Sequence, residues 1–278
     1  MAHLIADSGS TSCDWCYVNG NKKQKFSTIG ISPYFLSENE IVEIFSSVRS
    51  KIKNQQVDKI YFYGTGLGNI NNVAIIKTAL KRIFSKVKIE VNTDLNGAAR
   101  ALLQHNKGIA CILGTGSNVG FYNGKKITKT SPALGYVLGD EGSGAYLGKK
   151  VLQYYLYNTF DDELKLNFEK KYNTTSIEIL DKTYKQKLPN RYLASFANFL
   201  SENRGHFMIE NIIEDGLHEF IYQHLYKFAE SWTYPICFTG SIAYSFKDAI
   251  KEMFQLYELK LGKIVKKPID GLVTYHDQ

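Results

Sequence analysis

Residues 4–13 read LIADSGSTSC, an apolar run, then Asp7, then small residues around Gly9. A Gly/Ser/Thr turn after a strand lets backbone N–H groups close on phosphate. The common phosphate loop ends in Gly-Lys-Ser/Thr and opens a helix. Here an acid precedes the turn, no lysine follows, and the chain runs on into CDWCYV, which reads as another strand. A second passage, IACILGTGSNVGFYNGKK (109–126), repeats the layout of strand, turn, strand, Asn-Gly and lysines. SGST (8–11) corresponds to TGSN (115–118), and Asn19-Gly20 to Asn123-Gly124. Asn-Gly between alternating apolar runs signals a hairpin, and two such hairpins in matching order predict duplicated lobes.

Other residues could take part in chemistry, each with a plainer structural role beside it. Asp7 alone could simply form an Asx turn. Asp94 follows the strand-like VKIEV and precedes a helical run, so by position it suits a helix cap or a ligand at the carboxyl end of a strand. Asp140 and Glu141 in GDEGSG suit the acid-favouring start of a helix. Gly240 and Ser241 in FTGS mark a strand–turn–helix junction. GTGLG (64–68) reads equally as a connecting turn. The six histidines show no metal-ligand spacing. Cys13 and Cys16 form a CxxC within a strand, where residues three apart face opposite ways, so they read as structural thiols.

These residues need elements to position them. SENEIVEIFSSVRSKI (37–52) opens with a capping box, Ser37 and Glu40, and its apolar positions 41, 44, 45, 48 and 52 share a helical face. VDKIYFYG (57–64) is strand-like, residues 73, 76, 80, 83 and 84 mark another helix face, and 95–105 reads as a linking helix. The first lobe is therefore a hairpin followed by α, β, α and β. In the second lobe a helix follows GDEGSG, residues 160–230 have helical spacing, and PICFTGSIAYSFKDAI (235–250) returns to strand, turn and helix. The expected domains are 1–105 and 106–278, with a helical region over 150–230 and a C-terminal segment, KPIDGLVTYHDQ, that folds back on the first lobe.

At 278 residues the chain fits two moderate domains or one large one. The net charge of +7 suits an anionic ligand such as a nucleotide. The lysines are scattered, with no arginine stripe, which argues against nucleic acid. No apolar run is long enough to span a membrane. The N-terminus lacks a signal-peptide pattern, and four cysteines make no disulfide framework in a chain this size. A cytoplasmic protein is expected.

Taken in order, DSGST, NTDLNGAA, LGTGSN, GDEGSG and FTGS resemble the sugar-kinase, actin and Hsp70 superfamily of ATP-binding folds. Within it, the pattern is most similar to the N-acetylglucosamine kinase branch and the BadF/BadG/BcrA/BcrD-type ATPases. The resemblance implies an α/β fold of two ribonuclease H-like, actin/hexokinase-type lobes with a central cleft and a helical insertion in the second lobe. It implies ATP and Mg²⁺, with a small amino sugar such as N-acetylglucosamine, glucosamine or N-acetylmuramic acid as phosphoryl acceptor, and it is compatible with a homodimer. Asp7 would then hold Mg²⁺, and Asp94 would be the general base that also touches the sugar. Ser8, Gly9, Ser10, Thr11, Gly114, Thr115 and Gly116 would cradle phosphates, while Gly240 and Ser241 would lie against adenine and ribose. Thr115, Ser117, Asn118, Gly135 and Asp140 would line the sugar site. Two departures weaken the acceptor assignment. Leu134 and Tyr136 lie where the sugar kinases carry a tryptophan, and GISPYFLSE (30–38) lacks the family's sugar-holding asparagine. The alternative is a BadF-type ATPase or a nucleotide-dependent regulator without sugar turnover.

Overall fold

A computed structural model describes residues 1–277; Gln278, which ends both the expected second domain and the C-terminal segment, lies outside the described residues. In chain order the first elements are β1 (His3–Ser8), β2 (Ser12–Asn19), β3 (Lys22–Ile29), α1 (Glu38–Lys51), β4 (Lys59–Gly64), α2 (Ile70–Ile83), β5 (Lys88–Thr93) and α3 (Asp94–Leu103). There follow β6 (Lys107–Leu113), β7 (Ser117–Asn123), β8 (Ile127–Thr130), α4 (Gly135–Leu138) and α5 (Gly144–Leu156). A helical stretch then comprises α6 (Asp162–Tyr172), α7 (Ser176–Tyr184), α8 (Pro189–Ser195), α9 (Ala197–Glu202) and α10 (Phe207–Phe220), continued by a π-helical turn (Ile221–Leu225) and a 3-10 turn (Ala229–Trp232). The chain closes with β9 (Ile236–Thr239), α11 (Ser241–Ser245), α12 (Lys247–Leu256), β10 (Leu261–Val265) and α13 (Ile269–His276).

Two compact units result: one of Met1–Asn106, Gly124–Ile127 and the segment from Lys267, the other of Lys107–Asn123 and Thr128–Lys266. In the first unit the sheet order is β3-β2-β1-β4-β5, with β1 antiparallel to β2 and parallel to β4, and β4 parallel to β5. The second unit repeats this as β8-β7-β6-β9-β10, with β6 antiparallel to β7 and parallel to β9, and β9 parallel to β10. The duplication predicted from two hairpins is thus a duplication of whole sheets. Among the described residues no helix is long and apolar enough to cross a membrane.

In the first unit helices cover both sheet faces, so β2 is buried on both sides. Cys13, Trp15 and Tyr17 join α1 and α2 in one core. Cys16 and Val18 face the other way, toward α3 and α13, which is the opposed placement expected of the CxxC. Trp15 meets Phe45 edge-on at 6.1 Å. Burying each such ring contributes roughly 1.5–3 kcal/mol. The capping box of α1 forms, with Ser37 N–H donating to Glu40 Oε2 at 2.7 Å. In the second unit the helical stretch packs Phe168, Phe196, Phe199 and Phe220 into a core with β6 and β9.

Candidate active site

The first set of site residues lies along one sheet edge. Ser8, Gly64 and Thr93 stand side by side at the carboxyl ends of parallel β1, β4 and β5, the edge where open α/β sheets hold ligands. Thr65 N–H donates to Ser8 O at 3.0 Å, which ties the start of the 64–68 turn to the first one. The two-residue period of β1 sends Ile5 and Asp7 toward α3 and α13 and Ser8 to the opposite face. Ser8 is fully buried, and its Oγ accepts from Ile31 N–H at 2.9 Å and lies 3.1 Å from Ile31 O. Its hydroxyl therefore fastens the 30–32 segment, and what this turn presents outward is Gly9, Ser10 and Thr11. Gly9 N–H donates to Ser12 O at 3.0 Å, and Gly30 N–H to Thr11 O at 2.9 Å. A Cβ on Gly30 would sit 2.4 Å from Gly9 O and 2.5 Å from Ser10 C, so only glycine lets this segment lie against the turn.

Asp7 pairs directly across the ladder with Asp14. Asp14 Oδ1 accepts from Ser27 Oγ at 2.6 Å and from Lys267 Nζ at 2.7 Å. Asp7 keeps some accessible surface, yet the protein around it pushes its pKa up to about 8. Desolvation is the first cause, followed by the charges of Asp94 and Asp14, with Lys267 opposing. Asp94 is the first residue of α3, and the helix cap is its neighbour Thr93, whose side chain accepts from Asn96 N–H at 3.2 Å. Asp94 Oδ1 accepts from Leu95 N–H at 2.8 Å. Glycine is required at position 97, one turn further on, where a Cβ would meet the Tyr63 side chain at 2.9 Å. These oxygen donors suit a hard cation. Among the described residues no three His, Cys, Asp or Glu side chains gather into a cage. One or two carboxylates are what Mg²⁺ needs when phosphate and water complete its shell.

The second set lies in the other unit. The last β6–β7 pair is Leu113 with Ser117, so Gly114, Thr115 and Gly116 form the turn while Ser117 and Asn118 belong to β7. Gly114 N–H donates to Gly116 O at 3.0 Å. Gly114 follows the last paired residue of β6 as Gly9 follows that of β1, so by ladder position Gly114 matches Gly9, and the match of SGST to TGSN read from sequence is displaced. The start of α5 is fixed on this turn: Gly144 N–H donates to Gly114 O at 2.8 Å, and Ala145 N–H to Thr115 O at 3.0 Å. Nothing lies within 4 Å of a Cβ built on Gly114, which leaves space for a ligand over the backbone.

Asp140, in the left-handed region at φ 61°, turns its carboxylate onto the same hairpin. Its Oδ1 accepts from Ser117 N–H at 3.3 Å, and a Cβ on Gly116 would lie 3.0 Å from its Oδ2. Burial raises its pKa, the Ser117 N–H opposes that shift, and Glu141 adds to it. A pocket beside it is lined by Ser117, Asn118, Ser131, Leu134, Asp140 and His224, among others. Asn118 Oδ1 accepts from Val119 N–H at 3.0 Å. Gly135 opens α4 at φ 74°, and Leu134, in the tryptophan's place, is 57% exposed. Gly240 has φ 121°, and a Cβ there would lie 2.1 Å from Leu113 O and 3.0 Å from Gly114 N. The FTGS junction thus presses backbone against the second turn, with exposed Ser241 opening α11. Thr239 Oγ1, just before it, is buried without a hydrogen-bond partner. An orphaned hydroxyl beside an open glycine turn fits a polar ligand such as a nucleotide.

Gly30, Asp14, Lys267, Ser131 and His224 were not singled out from sequence. Gly30 carries a signal, a glycine closing an alternating strand. Lys267 reaches the first set and His224 the second from distant parts of the chain, and nothing local marks them.

No protein-family model matches the chain, and no curated protein does. Among solved structures, a candidate N-acetylglucosamine kinase from Porphyromonas gingivalis is 34% identical, with 98% of each chain covered and a TM-score of 0.94. Another such candidate, from Chromobacterium violaceum, shares the fold at 14% identity, with 99% of this chain and 98% of that one covered and a TM-score of 0.76. The ADP-bound MreB5 of Spiroplasma citri shares it at 8% identity, covering 99% and 95%, with a TM-score of 0.54. The near full-length match to the first of these places the chain in one family: it belongs to the N-acetylglucosamine kinase-like proteins.

Proposed function

We propose that the protein is an ATP-dependent kinase that phosphorylates a hydroxyl of a small amino sugar such as N-acetylglucosamine. The observation that carries the reading is the gathering of Asp7 and Asp94 at the carboxyl edge of the first sheet, beside a turn against which Gly30 packs too closely to carry a side chain. In this reading Asp94 accepts the proton of the attacking hydroxyl as its oxygen bonds to the γ-phosphorus and the bond to ADP breaks. The products are sugar phosphate, ADP and a proton. The turns at 9–11 and 114–116 bind phosphate through backbone N–H groups, and Asp7 with Asp14 would hold Mg²⁺. When bound, the ion neutralises charge on the phosphate oxygens. Gly240 and Ser241 lie against the nucleoside, while Thr115, Ser117, Asn118, Gly135 and Asp140 contact the sugar.

The BadF-type reading, an ATPase activating a partner enzyme through an iron–sulfur cluster, needs accessible thiolates. Cys13, Cys16, Cys111 and Cys237 are all buried, and burial raises the pKa of each. A coupled ADP-release assay over hexosamines, hexoses and muramic acid derivatives tests the proposal. Stimulation by one amino sugar, with a clear preference in kcat/KM, is expected. ATP hydrolysis indifferent to every sugar would rule in the alternative.

A further inference from the structure

The second unit holds a chain of hydrogen bonds that the roles above do not use. His224 Nδ1 lies 2.6 Å from Ser131 Oγ, and its Nε2 lies 3.0 Å from Glu141 Oε2. The imidazole is buried, with its side chain 10% exposed and that of Glu141 17%. Two features of the backbone bring it there. A Cβ on Gly142 would meet Phe220 Cβ at 2.9 Å, so α10 packs directly on the GDEGSG loop. After Phe220 the helix widens into the π-helical turn that carries His224, a local distortion found often at functional sites. Ser131 and His224 line the pocket together with Asp140 and Asn118.

The order of protons along this chain follows from its ends. A carboxylate only accepts hydrogen bonds, so Glu141 requires the proton of a neutral imidazole to sit on Nε2. Nδ1 is then an acceptor, and the Ser131 hydroxyl must donate to it. That leaves the Ser131 oxygen only lone pairs to present to the pocket, where the Asp140 carboxylate is also an acceptor.

We propose that Glu141 and His224 are positioning residues that hold Ser131 as a hydrogen-bond acceptor, so that the pocket recognises its substrate through a donor, an N–H or O–H group. This deepens the kinase reading and rests on it. An amide N–H of an N-acylated amino sugar is a group of the required kind. A competing substrate that offers only an acceptor atom there would face two acceptors and lose affinity.

The test has two arms that fail separately. In ¹⁵N-histidine-labelled protein, the ring shifts of His224 should show a proton on Nε2 alone. In Glu141→Gln, whose amide can donate to Nε2, the proton should move to Nδ1. A proton on Nδ1 in the native protein, alone or with one on Nε2, overturns the proposed order whatever the protein's activity. In the kinetic arm, Ser131→Ala should raise KM for the sugar about tenfold, the scale of one lost hydrogen bond, with kcat and the KM for ATP within about twofold. Ser131→Thr, which keeps the hydroxyl, should restore the native KM. An unchanged sugar KM in Ser131→Ala overturns the substrate role of Ser131 while the kinase reading stands. If no sugar is phosphorylated by the native protein, the kinase reading and that role fail together.

Discussion

Asp7 and Asp14 face each other across the β1–β2 ladder, and the Lys267 ammonium, 2.7 Å from Asp14 Oδ1, is the positive charge set against them. Burial and the charges of Asp94 and Asp14 raise the Asp7 pKa to about 8, so the fold loses stability by holding this carboxyl against ionisation, a cost that a bound cation would offset. Asp7→Asn should therefore stabilise the protein in chelator-treated buffer by at least about 1 kcal/mol while abolishing sugar phosphorylation. Lys267→Met should lower stability under the same conditions. Denaturant midpoints measured in EDTA check both signs, and a destabilised Asp7→Asn would show that this cost is not there.

Asp94 begins α3 but does not cap it, since Thr93 does. Asn at position 94 keeps a side-chain oxygen for the Leu95 N–H and removes the proton acceptor. Asp94→Asn should lower kcat by roughly 10²–10⁴ with nucleotide affinity unchanged. Single-turnover rates and ATP titration separate the two effects. A near-native kcat would leave Asp94 as part of the helix start and nothing more.

Gly30 is held by contact and Gly20 by conformation. A Cβ at Gly30 runs into the backbone of Gly9 and Ser10, whereas Gly20 has φ 55° and open space around it. Gly20→Ala should cost about 1 kcal/mol and leave the kinetics alone. Gly30→Ala must move the first turn, so it should cost more than about 2 kcal/mol and also raise the KM for ATP. Equal, purely structural losses in the two variants would detach Gly30 from the phosphate turn.

His276 gives a pH signature. Stacked 3.5 Å from Tyr61 and accepting from Tyr63 O–H at 2.8 Å, it has a pKa pushed down to about 4 by burial and by the Arg100 charge. The folded value lies below the ordinary 6.5, so this contribution is present above pH 6.5 and is lost as pH falls through 4. His276→Phe keeps the stacking and loses the titration. Between pH 7.5 and 5 it should lose about 1 kcal/mol less stability than the native chain, after discounting for solvent screening. Parallel pH dependences in the two proteins would refute the assignment.

Local signals made much of this architecture legible in the sequence. The Ser37/Glu40 box, the helix face around Ile76 and the two Asn-Gly hairpins, β2–β3 and β7–β8, depend on neighbours in the chain, and the structure forms them all. What escaped depends on pairing between distant segments. β10 lies beside β9 in parallel, yet LGKIV is a short run with no turn signature. Ser8 is one step in the strand period away from Asp7, so the same motif turns the acid toward α3 and the hydroxyl into the opposite face. His224, which meets Glu141, is carried on a helix widened by a π turn, which no side-chain periodicity announces. Lys267 is separated from Asp14 by nearly the whole chain.

The most direct test of an amino-sugar kinase is the product itself. Incubated with ATP, Mg²⁺ and N-acetylglucosamine or a close amino sugar, the protein should form a sugar monophosphate, seen by mass spectrometry and ³¹P NMR, in one-to-one ratio with ADP. ADP released with inorganic phosphate alone, and no phosphorylated sugar from any member of the panel, would contradict it.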